Sequence, residues 1–272
     1  MPRVVDNPPQ YNVFIGSEAA SDFEGDKNVC IGVDAAKNSI GGDANVIIGN
    51  KAAADNLNLY DNVIIGNEAA HSNDGQDFYN NVVIGPKAGH IMAGSSNVYI
   101  GYETGKESSN SFCNVFIGYH AGMKTQETNN VFIGTQAGLL NQSGSKNVFI
   151  GNEAGHSNNG SNNVYIGQDS GDSAKGNRNV LLGYKAGADL GTKTEDADDN
   201  VFLGTESGIG ASNSDYNVFL GNRTGASNSG ASNVFLGTLT GSNAIGNNNV
   251  FVGTSTTIGK GDKNILIGVD IS

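Results

Sequence analysis

Four carboxylates lie close together in one long polar segment, and their types and spacing could bind a metal ion. Glu195, Asp196, Asp198 and Asp199 fall within "ADLGTKTEDADD" at 188–199. Hard cations such as Ca²⁺ prefer several carboxylate oxygens, so these residues could hold one. The alternative is a solvated acidic loop, and we favour the loop over a metal site.

Other residue types that support catalysis are present but are not arranged for it. His71 and His90 occupy equivalent positions in neighbouring repeats and could stack, yet no Cys or third His joins them at a metal-ligand spacing. The chain has no G-x-S-x-G or P-loop motif. The sequence therefore predicts a non-enzymatic protein with no catalytic residues, no metal and no cofactor.

Composition restricts the classes of partner. The chain has 272 residues, a net charge of −12 and a pI near 4.6, which argues against nucleic acid and anionic lipid surfaces. The N-terminal "MPRVVDNPPQYNVFIG" has no apolar core of a signal peptide, and no stretch is long and apolar enough to insert into a membrane.

One short motif recurs along almost the whole chain. The consensus is N-V-Φ-[IL]-G-x-x-[AST]-[GA], where Φ is apolar, and sixteen copies follow one another at spacings of 15 to 21 residues. The array fills residues 12–272 and leaves residues 1–11 as an N-terminal linker. The small pair at the end of the motif is Ala-Ala in the first four copies and mostly ends in Gly in the next ten.

Each copy is too short to bury a core alone, so the copies must stack. The motif's β-branched and aromatic residues predict a short strand, and the Ser, Asn, Gly and Asp of the spacer predict turns. We expect an all-β, parallel β-solenoid of sixteen short turns, with neighbouring strands about 4.8 Å apart. A propeller is the alternative, but its blades need roughly 40 residues.

Both faces of the predicted strand are apolar. Val148 and Ile150 share one face, which we expect to line the coil, while Phe149 points the opposite way. A long exposed apolar strip is not tolerated by a soluble monomer, so we predict association of copies through the second face. A wide coil that covers both faces with its own chain is the alternative. The large aromatic residues of this predicted oligomer interface are Phe14, Tyr99, Phe116, Phe132, Phe149, Tyr165, Phe202, Phe219, Phe235 and Phe251.

The first residue of every copy is Asn. Stacked Asn side chains can hydrogen-bond along a parallel array, and Asn tolerates unusual turn conformations. We predict a structural ladder, with a ligand-binding ladder as the alternative. Its members are Asn12, Asn28, Asn45, Asn62, Asn81, Asn97, Asn114, Asn130, Asn147, Asn163, Asn179, Asn200, Asn217, Asn233, Asn249 and Asn264.

The repeated N-V-Φ-I-G-x-x-A-G units resemble the head repeats of trimeric YadA-like autotransporter adhesins and, more closely, repeats of phage tail-fibre-like proteins. The resemblance covers nearly the whole chain and implies a left-handed β-roll with three copies packed side by side. Two features depart from the adhesin repeat: the central residue here is usually large, and the unit is two or three residues longer.

Together these observations predict an attachment protein. We expect a trimeric fibre segment of a phage type, on a virion surface, with a cell-surface glycan or protein as receptor. Insertions in solenoids often carry binding, so the two longest spacers, 71–80 and 188–199, are the candidate receptor sites. The first contributes Asp77, Phe78 and Tyr79, and the second contributes the four carboxylates. The alternatives are the head of a bacterial surface adhesin and a self-assembling extracellular filament subunit.

Overall fold

The structure is a computed structural model that describes residues 11–72, 78–109, 111–191 and 196–271. The predicted N-terminal linker lies almost wholly outside these residues. Two compact units divide the chain, Met1–Gln136 and Ala137–Ser272. The described residues of both units contain strands and turns and no helix.

Unit 1 is a parallel β-solenoid with one turn per repeat, as predicted. Its repeat strands pair in chain order and in parallel, so that Val13 lies opposite Val29 and Phe14 opposite Cys30. A second, two-stranded parallel sheet joins Leu59 to Phe78 and Tyr60 to Tyr79. The strands are β1 Val13–Ile15, β2 Val29–Ile31, β3 Val46–Ile48, β4 Leu59–Tyr60, β5 Val63–Ile65, β6 Phe78–Tyr79, β7 Val82–Ile84, β8 Val98–Ile100, β9 Val115–Ile117 and β10 Val131–Ile133.

Unit 2 repeats this architecture. Its strands also pair in parallel with each motif residue opposite its equivalent, as Val148 is opposite Val164 and Phe149 is opposite Tyr165. The strands are β11 Val148–Ile150, β12 Val164–Ile166, β13 Val180–Leu182, β14 Val201–Leu203, β15 Val218–Leu220, β16 Val234–Leu236, β17 Val250–Thr254 and β18 Ile265–Val269.

The central residue of each strand lies inside the coil, so the prediction had the two faces reversed. Phe149 is fully buried within its own unit, while Val148 and Ile150 are only partly buried on the outer face. Of the ten aromatic residues assigned to an oligomer interface, Phe14 at the first strand is partly exposed. The other nine are fully buried, namely Tyr99, Phe116, Phe132, Phe149, Tyr165, Phe202, Phe219, Phe235 and Phe251. Strand alternation separates the two faces but does not say which one the corners turn inward.

The buried rings stack along each unit. Phe202, Phe219, Phe235 and Phe251 form one column with ring centroids 4.6–4.9 Å apart and planes within 8° of parallel. In unit 1, Phe116 stacks on both Tyr99 and Phe132 at 4.8 and 4.9 Å. Because these distances match the spacing of neighbouring strands, in-register pairing alone brings the rings into contact.

The asparagine ladder is structural and lies inside the coil. The Oδ1 of Asn163 accepts the backbone N–H of Asn179 at 2.9 Å, and its Nδ2 donates to the carbonyl of Gly176 at 3.0 Å. The backbone N–H of Asn163 in turn donates to Oδ1 of Asn147 at 2.9 Å. Each of these side chains therefore ties its own turn to the next one, satisfying buried backbone groups that a helix or sheet would otherwise pair.

In most copies the small pair is matched to the size of the central residue. At the last position of the pair, a Cβ on Gly122 would lie 2.5 Å from Cδ2 of Phe116, so glycine makes room for the ring there. The buried Phe251 is an exception, with Thr257 at the equivalent position. Ala53 and Ala70 occupy the same position in copies whose central residues are the smaller Ile47 and Ile64. The two positions are coupled because they fill one volume.

Aliphatic copies recover the missing core volume from the opposite side of the coil. Leu59, Phe78 and Met92 are buried there, in or next to the copies built on Ile64 and Val83. The core of unit 1 therefore reaches native packing by two routes, either one large central ring or a smaller residue opposed by a second apolar side chain.

Gly122→Ala should destabilise the protein by about 2–4 kcal/mol, because it adds a methyl group against Phe116 at a φ of +57°. Phe116→Ile alone should cost about 1–2 kcal/mol through lost packing. The double variant should be more stable than the sum of the two single effects predicts, and urea unfolding of the four proteins measures the difference. Additive effects would contradict the shared-volume argument.

Asn163→Ala should lower the free energy of unfolding by about 2–4 kcal/mol, because it leaves the Asn179 N–H and the Gly176 carbonyl buried without their partner. Asn152→Ala is the matched control, since Asn152 is exposed and lies outside the ladder. Chemical denaturation of both variants tests the assignment, and equal losses at the two positions would rule out a special role for the ladder.

Candidate functional site

The two carboxylates at the end of the longest spacer, Asp198 and Asp199, form ion pairs with Arg178. The Nε of Arg178 lies 2.6 Å from Oδ1 of Asp199, and one terminal nitrogen lies 2.8 Å from Oδ2 of Asp199 and 2.9 Å from Oδ2 of Asp198. The remaining oxygen of Asp198 accepts the backbone N–H of Asn177 at 2.7 Å. The guanidinium thus forms ion pairs with two of the four carboxylates that were considered for a cation, and it lowers the pKa of Asp199 through direct hydrogen bonding.

Of the other residues of the two predicted receptor segments, the structure describes Asp196, Phe78 and Tyr79. Asp196 is exposed, whereas Glu195 and Asp77 lie outside the described residues. Phe78 is fully buried in β6 and contributes to the core, so its assignment to receptor binding is wrong. Tyr79, the next residue, is 42% exposed. The burial of Phe78 was not predicted because the segment is otherwise polar. The alternation of side chains along a strand would nevertheless have placed Phe78 and Tyr79 on opposite faces.

The histidines of neighbouring repeats stack as expected. His71 and His90 have ring centroids 5.1 Å apart, and their Nε2 atoms lie 3.8 Å from Asp55 and 3.6 Å from Glu68 respectively. Burial lowers the pKa of His90, and the positive charge of His71 adds to this effect. Within the described residues no group of three or more His, Cys, Asp or Glu is placed to hold a metal ion.

The buried Cys30 and the buried tyrosines have no reactive environment. Cys30 and Cys113 are both free, and burial raises the pKa of the Cys30 thiol to about 12. Burial likewise raises the pKa of Tyr165, whose hydroxyl accepts a hydrogen bond from Nδ2 of Asn158 at 3.1 Å. A thiol or phenol held neutral in this way is a poor nucleophile.

The outer face of the repeat strands is apolar and more uniform than the core. Its first column, one residue after each Asn, is Val in every copy except the last, where it is Ile265. Its second column contains Ile, Leu or Val only. These side chains are partly buried in most strands; Ile166 is 39% exposed, and Ile265 and Ile267 in the last strand reach 73% and 71%. Solvent would accept polar residues at such positions, so their absence marks this face as the strongest candidate for an interface.

The prediction placed the Val and Ile/Leu face inside the coil, although the repeat motif itself indicates that this face lies outside. Asn147 and Phe149 are two residues apart and must lie on the same side of the strand. A ladder of asparagines inside the coil therefore places the central residue inside as well, and it places Val148 and Ile150 outside.

No helix in the described part of the chain is long and apolar enough to cross a bilayer. Comparison with protein-family models finds no match, and neither the curated proteins nor the solved structures contain a significantly similar chain.

Asp199→Asn should reduce thermal stability near neutral pH but not at strongly acid pH. The pKa of Asp199 is lowered in the folded protein, so its contribution is present above the ordinary carboxyl pKa of about 4 and is lost as pH falls through the lower folded value. Asn suits the backbone, since other copies carry Asn at this left-handed position, as at Asn162. Melting temperatures from pH 7 to pH 2 should converge, and a constant difference would exclude the ion pair as the cause.

Proposed function

We propose that this protein is a non-enzymatic segment of an attachment fibre, of the phage tail-fibre type, in which three copies of a left-handed β-roll pack side by side. The observation that carries the proposal is the uniform apolar outer face formed by the Val and Ile/Leu columns of the repeat strands. The all-β repeat architecture supports it, because stacked turns extend in one direction without enlarging the core.

A second copy of the same chain is the partner that this face fits. The two columns repeat once per strand, at about 4.8 Å, so a surface with the same period can interlock with them along its whole length. A partner without this repeat would meet only a few rungs. Neither column contains a charged or polar residue, so the contact requires no buried ion pairs or polar partners.

The area of the face is sufficient for a stable interface. Eight strands at about 4.8 Å and three residues at about 3.3 Å give each unit a strip on the order of 350 Å². The strips of the two units together approach the roughly 800 Å² that each partner contributes to a standard protein interface. Burial of each Val or Ile side chain contributes about 1.5–3 kcal/mol when complete, so partial burial over many positions still favours association.

Receptor contact in this proposal falls to exposed polar positions away from the apolar face. Of the predicted receptor residues, Asp196 and Tyr79 are the two that the structure describes as exposed. In this proposal the fibre lies on a virion surface. The negative charge of the chain favours solubility of a large assembly.

Wild-type protein should sediment as a trimer of about 84 kDa, three times the 28.0 kDa of one chain. Val164→Lys combined with Val218→Lys should dissociate it, because two charges would enter the apolar contact, while circular dichroism of the strands should be retained. Analytical ultracentrifugation at micromolar concentration measures the mass.

Ser232→Lys is the control, since position 232 is exposed and equivalent positions carry Lys146 and Lys263. A wild-type protein that sediments as a monomer would refute the proposed association. If the double Lys variant sediments with the wild-type mass, the interface must lie on another face of the coil.

A further inference from the structure

Two cavities in unit 2 are lined by residues among the last six before a ladder asparagine. The larger, of about 370 Å³, is lined by side chains of Asn213, Ser229, Asn247, Lys260 and Asp262. The smaller, of about 260 Å³, is lined by Ser157, Asn159, Lys175, Asn177 and Asp196. Each cavity therefore has two Asn, one Ser, one Lys and one Asp, and the larger cavity is also lined by Ile245.

The lysines and the asparagines of the two cavities occupy matching positions in the repeat, whereas the serines and the aspartates do not. Lys175 and Lys260 each lie four residues before the ladder asparagine of the next copy, Asn179 and Asn264. Ser229 and Lys260 each bridge in parallel to Ile245, so they form one wall of the larger cavity. Backbone of Gly160 and Gly176 borders the smaller cavity, and Gly230, Gly246 and Gly261 border the larger. The two cavities consequently lie on the same side of the coil.

The side chains of Asn177, Asn247 and Asp262 are held in place by hydrogen bonds from the backbone. Oδ1 of Asn177 accepts the N–H of Ser161 at 2.8 Å, and Oδ1 of Asn247 accepts the N–H of Ala231 at 2.8 Å. Oδ1 of Asp262 accepts the N–H of Asn247 at 2.6 Å. One polar atom of each side chain is thereby fixed. The Nδ2 atoms of Asn177 and Asn247 make only long contacts, at 3.3 and 3.4 Å, and can exchange them for a ligand.

The charges of the cavities favour an uncharged ligand. Lys175 and Lys260 form no ion pair among the described residues, and each shares its cavity with one aspartate. One cation and one anion per cavity attract neither a polyanion nor a polycation, and the chain's net charge of −12 repels anionic polymers. Only Ile245 adds an apolar side chain, so a hydrophobic ligand would bury little surface.

From these observations we propose that unit 2 binds an uncharged, hydroxyl-rich oligosaccharide at both cavities. The amides, hydroxyls and lysines provide donors and the aspartates provide acceptors for sugar hydroxyl groups. Lys175 and Lys260 are separated by five strand spacings, or about 24 Å, so one glycan chain or two branches can occupy both cavities at once and gain affinity by linkage. This inference rests on the proposed attachment role and names the chemical class of its receptor.

Isothermal titration of the full chain with cellohexaose, mannohexaose and N-acetylated chitohexaose tests the proposal, with hyaluronan hexasaccharide as the anionic comparison. At least one uncharged hexasaccharide should bind. Lys175→Gln and Lys260→Gln should each raise its Kd about 10-fold, because each removes a charged donor. Lys146→Gln and Lys263→Gln, at exposed positions outside both cavities, should leave the Kd unchanged.

Lack of binding to all three uncharged probes would overturn the proposal, as would preferential binding of hyaluronan or equal affinities of the cavity and control variants. Sedimentation of the same samples separates this result from the proposed function. A monomer that still binds the hexasaccharide would reject trimer formation and keep the glycan site, whereas a trimer that binds no uncharged probe would reject the glycan site alone.

Discussion

The hydrogen bonds of one asparagine per repeat are the constraint on which the remaining structure depends. The side chain of Asn163 accepts the backbone N–H of the next ladder residue and donates to a carbonyl at the far end of its own turn. One side-chain amide therefore holds the start of the turn close to its end and also sets the register of the turn against the next one. In-register strands follow, and with them the stacking of every central side chain on its equivalent.

This register explains why the interior tolerates variety and the exterior does not. Inside, Phe116 can be replaced in other copies by Ile64 because the pair position changes between Gly and Ala, and because Leu59 or Phe78 can fill the opposite side. Compensation of this kind is available to a packed core, where several residues share a volume. Outside, the Val column is only partly buried in most of the described strands, and its uniformity is the ground for the proposed association with a second copy.

The glycines that end the strands affect both the interior and the exterior of the coil. A Cβ on Gly183, at a φ of +137°, would lie 2.5 Å from the carbonyl oxygen of Gly204 in the next turn. Such close backbone contact lets the corners stack at the strand spacing and leaves the spacers to form the outer polar surface. In unit 2 that surface carries the two polar cavities. The proposed glycan contact and the proposed assembly therefore use opposite properties of the same repeat, one polar and variable, the other apolar and constant.

The repeat by itself determined the all-β parallel solenoid, because a 16-residue unit with one short strand has no other way to bury its apolar residues. It also determined the structural role of the asparagines and the stacking of His71 on His90, since equivalent positions in neighbouring turns must lie one strand spacing apart. The tertiary structure decided what alternation leaves open. It placed Phe149 inside and Val148 outside because the corners turn the asparagine face inward, and it buried Phe78 in a polar spacer because its copy lacks a central ring. It paired Asp198 and Asp199 with Arg178, a residue 20 positions earlier that the coil brings one turn away. Relations between neighbouring turns depend on the length of each spacer and the direction of each corner, and these are properties of the folded coil rather than of any one repeat.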